Sequence, residues 1–183
     1  MSQIEEKKIW GIHTQDDNLF LRNNVIAIGW RDMGDLRSIG DDRDAFKARY
    51  AEVYPNAKKG SVASGAGMLF RFLYEAQIGD YVVFPSKSNR QINIGTIESD
   101  YIYEENAHEY AQQRKVKWLK HLPRTSFSQG ALYEIGSHQN ARRQLVFVGD
   151  DVDAAVAAVG RYRRPVSHRL EQVGHEQLKV VAL

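Results

Sequence analysis

The chain has 183 residues, enough for one domain of moderate size or one domain with an extension, and its 43% apolar and 26% charged residues with only 4 Pro exclude a disordered chain. The absence of Cys excludes disulfides, thiolate metal sites and a Cys nucleophile. Net charge is +2, but residues 114–169 carry 11 Lys/Arg against 4 Asp/Glu, leaving −5 for the rest, so the basic half suits a polyanion or a solvated surface.

Lys8-Ile9-Trp10-Gly11-Ile12-His13 and Val25-Ile26-Ala27-Ile28-Gly29-Trp30 are β-prone runs between polar, turn-forming residues and predict two strands. Asp41 or Asp42 then caps a helix through Phe46, Tyr50 and Val53 that ends before Pro55. Apolar spacings of three and four through Met68, Leu69, Phe72, Leu73 and Ala76 predict another helix, stopping near Gly79. From Asp80 the period changes: Tyr81-Val82-Val83-Phe84 is a continuous apolar run, residues 91–97 and 114–119 alternate, and residues 86–90 make a hairpin loop. A late strand is expected at 144–148 and a helix at 150–160, with Asp150 or Asp151 as cap and Gly160 as stop, before a linker at Arg161-Tyr162-Arg163-Arg164-Pro165. Strands and helices do not alternate, so a small mixed barrel with helices on its outside fits better than a doubly wound sheet.

The search for reaction chemistry returns little. Gly60-Ser61-Val62-Ala63-Ser64-Gly65 has the glycine spacing of a phosphate loop, but Ala66-Gly67 stands where Lys-Ser/Thr is needed. The segment reads as a flexible helix entry, with Ser61 and Ser64 beside free helix amides as possible holders of one phosphate. Glu5-Glu6-Lys7, an acidic-x-Lys triplet, reads as solvated surface, and Asp80 and Asp100 read as turn residues. The six His fall at no short ligand spacing. No catalytic residue, metal or cofactor is expected. No run approaches the roughly 18 apolar residues of a membrane span, and residues 1–8 are too charged for a secretory signal, so a cytoplasmic location is expected.

What remains is aromatic and basic. Trp10, Trp30, Tyr101, Tyr103 and Trp118 lie at or near predicted strand ends, where each alone reads as core material and the set, beside a basic half, reads as a pocket in which a base can stack. Arg90, Lys115, Lys117 and Arg124 flank the same strands and are the expected phosphate contacts.

Trp10-Gly11-Ile12, Gly34-Asp35-Leu36, Gly79-Asp80-Tyr81-Val82-Val83-Phe84-Pro85, Ile94-Gly95-Thr96-Ile97, Tyr101-Ile102-Tyr103 and Arg114-Lys115-Val116-Lys117-Trp118 occur in an order that, over roughly residues 9–145, resembles the N-terminal module preceding the nuclease domain of Mrr-type restriction endonucleases. The order is also similar to the wider EVE, YTH and PUA-like group. That resemblance implies an α+β, PUA-like, mixed and mainly antiparallel β-barrel with flanking helices, and an aromatic pocket for a modified base. It further implies a reader for double-stranded DNA in a modification-dependent restriction system, with residues 1–149 as the reader and 150–183 leading to a nuclease domain or subunit. RNA as the target, and an assembly module without nucleic-acid specificity, remain the alternatives.

Overall fold

In the computed structural model, described for residues 6–136, 144–148, 152–161 and 179–181, the strand pattern read from the sequence is largely realised and the helical pattern is extended. In chain order the elements are strand β1 (Glu6–Gly11), helix α1 (Asp17–Asn23), β2 (Val25–Ile28), α2 (Arg43–Val53), α3 (Lys59–Phe70), β3 (Tyr81–Pro85), β4 (Gln91–Ile97), β5 (Ile102–Tyr103), β6 (Gln112–Pro123), α4 (Gln129–Gly136), β7 (Gln144–Val148), α5 (Val152–Arg161) and β8 (Lys179–Val181). The fold is therefore α+β with a mixed sheet. Among the described residues no helix is long and apolar enough to cross a membrane. The caps expected at Asp150 or Asp151 and most of the expected linker lie outside the described residues, and α5 runs through Gly160 to Arg161.

The chain divides into two compact units, one made of Met1–His13, Gly79–Thr96 and Trp118–Leu183, the other of Thr14–Ile78 and Ile97–Lys117. In the first, the strand order is β6, β4, β3, β1, β7, β8. β1 runs parallel to β3, with Trp10 opposite Val82, whereas β3 and β4 form an antiparallel hairpin with Phe84 opposite Asn93. The apolar run of β3 is buried along its whole length, as a strand covered on both faces requires. Val82, Phe84, Ile94 and Ile97, the residues with the strongest strand pattern, are each at most 1% exposed. Ile9, Tyr81, Val83, Ile92 and Ile94 pack with Phe127, Ala131 and Ala155, so α5, expected as part of an extension, belongs to this core. Of the triplet read as solvated surface, Glu6 and Lys7 open β1 and Glu5 lies outside the described residues; the Lys7 ammonium lies 5.9 Å from the Tyr81 ring centre.

In the second unit β2 and β5 each pair antiparallel with the first half of β6. α1 was not expected from the sequence. Its signals are local: the Asp16 carboxylate caps the amides of Asn18 and Leu19, and Asn24 closes the helix in the left-handed conformation at φ 52°. α2 starts where the sequence places it, with Asp42 accepting from the Ala45 amide. α3 begins at Lys59, about nine residues before the expected periodic stretch, and passes into a π-helical turn at Arg71–Glu75.

That turn explains Arg114. Widening to a π-helix leaves carbonyls at the helix end without ladder partners. Arg114 Nε donates to Phe72 O at 2.9 Å, Nη2 to Leu73 O at 2.9 Å and Nη1 to Ser99 O at 3.0 Å. The guanidinium is 2% exposed, beside the Phe72 ring, at the negative end of a helix. One cation of the basic half is thus a structural clamp and not surface charge.

Candidate nucleic-acid interface

The expected aromatic set is divided between the units, Trp10 and Trp118 in the first and Trp30, Tyr101 and Tyr103 in the second. Trp30 follows β2 and has φ 64° and ψ 45°, a left-handed conformation that costs a bulky residue about 1 to 3 kcal/mol. Three hydrogen bonds hold it there. Its indole Nε1–H donates to the Tyr50 hydroxyl at 2.9 Å, and its carbonyl accepts from the Met33 amide at 3.1 Å and from Gln112 Nε2 at 3.4 Å. The residue is partly exposed.

Behind Trp30 the packing is tight. The Tyr50 ring is 6.4 Å from the indole and 4.9 Å from the Tyr54 ring. Tyr50 lies across Gly65 of α3, where a Cβ would fall 2.4 Å from its Cε2. Gly65 therefore serves a helix crossing. Burial, with help from Asp32 and Tyr50, pushes the Tyr54 hydroxyl above its ordinary titration range, which keeps it a neutral donor and acceptor.

Tyr101 is a support for this arrangement and not part of its surface. It is 7% exposed, its hydroxyl donates to Gln112 Oε1 and accepts from the Leu36 amide at 3.2 Å, and burial pushes its titration up to about 12. Gln112, itself 0% exposed, passes the constraint on by donating to Gly34 O at 3.0 Å as well as to Trp30 O. The expectation that Tyr101 lines a pocket is thereby corrected: a buried ring whose hydroxyl is bonded on both sides offers no face to a base. Tyr103 is partly exposed on β5.

In the first unit Trp10 is engaged by Asp80, whose carboxylate accepts from the indole Nε1 at 2.8 Å and from the Lys8 amide at 2.9 Å. Asp80 is 3% exposed, so the residue read as a turn former is a buried tie between β1 and β3. Trp118 packs 6.1 Å from Phe84 and is partly exposed.

The expected phosphate contacts fall into three groups. Ser61 and Ser64 lie within α3, Ser61 in its first turn, where its amide bonds Lys58 O at 2.8 Å. Lys115 and Lys117 occupy exposed positions of β6 in the second unit. Arg90 is exposed at the end of the β3–β4 loop, and Arg124 lies beside that loop, one Nη2–H donating to Ser86 O at 3.2 Å.

Sequence reasoning passed over His121. Its Nδ1 is 2.7 Å from the Oδ1 of Asn93, a residue 0% exposed whose Nδ2 donates to Phe84 O at 3.2 Å. An asparagine buried in a strand of apolar neighbours was the available signal. Among the described residues no group of three or more His, Cys, Asp or Glu is arranged to hold a metal ion.

Comparison with the curated proteins returned no match, and neither did comparison with the solved structures. One family model, a domain of unknown function (DUF8426), matches residues 11–136, more than half of the chain and a stretch that includes Trp30, Tyr50, Gln112, His121 and Arg124. The chain belongs to the DUF8426 family.

Proposed function

We propose that this chain is a nucleic-acid-binding module of PUA-like type that reads a modified base in double-stranded DNA, the specificity part of a modification-dependent restriction system. The reading rests chiefly on Trp30. Backbone strain in a bulky side chain persists only where neighbours over-determine it, and such strain gathers at binding and catalytic positions. Here Tyr50, Gln112 and the Met33 amide fix the backbone and the indole edge of a residue that stays partly exposed, and base stacking needs a ring held and reachable in this way. Lys115, Lys117, Arg90 and Arg124 supply charge for the phosphate backbone, and no ion pair is formed by any of these four among the described residues.

The test is a binding screen of the chain against matched unmodified, methylated and hydroxymethylated duplexes, with single-stranded RNA as a further arm, each titrated with salt. The expected result is tighter binding to one modified duplex. Removing Lys115, Lys117, Arg90 or Arg124 singly should lower the slope of log K against log salt by about one. Equal affinity for every duplex defeats base reading, RNA preference moves the target class, and oligomerisation without binding points to an assembly module.

A further inference from the structure

Asn93 and His121 form a buried-to-exposed pair whose chemistry fixes one imidazole. Because Phe84 O can only accept, Asn93 must present Nδ2 to it, which turns Oδ1 towards His121. An amide oxygen likewise only accepts, so His121 Nδ1 carries the proton in both the neutral and the charged ring. The ring is therefore held in one place, and protonation alters only Nε2, from acceptor to donor. Among the described residues Nε2 has no hydrogen-bond partner, and His121 occupies an exposed position of β6.

The surroundings are cationic. Residues 81–96 and 118–128, which form β3, β4, their loop and the second half of β6 with its continuation, contain no Asp or Glu, but they hold Lys87, Arg90, Lys120, His121 and Arg124. The carboxylate brought up by α5, Asp153, is bonded to Lys120 Nζ at 2.7 Å. Arg124 spends one N–H on Ser86 O, which fixes its plane and leaves the other guanidinium donors for a ligand. Ser86 and Phe84, the two anchor points on β3 and its loop, are two residues apart, about 7 Å along a strand.

From this we infer that His121 Nε2 and the Arg124 guanidinium form one anion site, and that its ligand is a backbone phosphodiester of the bound nucleic acid. The inference rests on the nucleic-acid reading above and adds a position and a proton to it. A phosphodiester oxygen takes a charge-assisted bond from the protonated ring and only a repulsive lone pair from the neutral one. Binding should therefore tighten as His121 charges, with one more counterion released.

The test measures affinity of the whole chain for one duplex at about pH 6 and pH 8 over a salt series, for the wild type and for His121→Gln, which keeps a polar exposed side chain without a titrating ring. The wild-type slope of log K against log salt should be steeper by about one at the lower pH, and His121→Gln should remove that increment and weaken binding several-fold at the lower pH only. A nitrogen-15 NMR titration of the imidazole, which does not depend on any variant folding, should find the Nδ1–H tautomer in the free protein and a shift of Nε2 on adding duplex. If the duplex binds but His121→Gln keeps the wild-type pH increment and Nε2 does not shift, the site is wrong while the module stands. Absence of binding at either pH would overturn both.

Discussion

Gly65→Ala sets two opposed effects against each other. Replacing Gly by Ala inside a helix ordinarily stabilises by about 1 kcal/mol. At Gly65, however, the new Cβ would lie 2.4, 2.6 and 2.8 Å from Tyr50 Cε2, Cζ and Oη. Ordinary carbon contacts are about 3.5 to 4.0 Å, so the ring must retreat by about 1 Å. Tyr50 is only 7% exposed, is packed on Tyr54 and is bonded to Trp30, so that retreat strains its surroundings at an overpacking cost of about 1 to 3 kcal/mol. The net expectation is destabilisation by about 1 kcal/mol, a fall in melting temperature of about 2 to 4 °C for a chain of this size. Gly67 supplies the control in the same helix: its added Cβ would meet only the Arg71 guanidinium at 3.8 Å, so Gly67→Ala should gain stability. Thermal unfolding of both variants, with the Trp30 indole N–H followed by NMR, decides the matter. If Gly65→Ala raises the melting temperature as much as Gly67→Ala and leaves the Trp30 signal unmoved, the account of that crossing is wrong.

Two further perturbations test the supports. Arg114→Met strips one buried and two part-buried carbonyls of their donor and should cost about 2 to 3 kcal/mol, read as a lower urea midpoint at unchanged slope, whereas a loss under about 1 kcal/mol would mean water replaces the clamp. For Tyr101 the folded-state titration is raised above the ordinary 10.0 to about 12, so the folded chain holds the proton that the unfolded chain releases. Its contribution is complete below pH 10, falls as pH rises towards 12, and should be missing from the alkaline unfolding profile of Tyr101→Phe.

The legible parts of the fold were those with local signals. The apolar run of β3, the alternation of β4, and the Asp42 cap of α2 each depend on residues within one element. The parts not legible depend on tertiary contact. The glycine-rich start of α3 has poor helix propensity and is fixed by Ala66 and Leu69 burying and by Gly65 under Tyr50. β6 was read as 114–119 because Gln112, Gln113, Lys120 and His121 mask a strand that runs over Gln112–Pro123. Arg114, counted as surface charge, is buried, since a π-helical turn that leaves carbonyls open has no sequence signature. At the candidate interface the sequence marked Trp30 but not Tyr50 or Gln112, which reach it from positions 20 and 82 residues away.

The central claim is that Trp30 stacks on a base, and the most direct measurement is the affinity of Trp30→Ala for the preferred modified duplex and its unmodified match, taken with its melting temperature. Stacking on one ring contributes about 1 to 3 kcal/mol, so a variant that remains folded should bind the preferred duplex about ten- to a hundredfold more weakly and lose its preference. A folded Trp30→Ala that keeps full affinity and full discrimination would contradict the account.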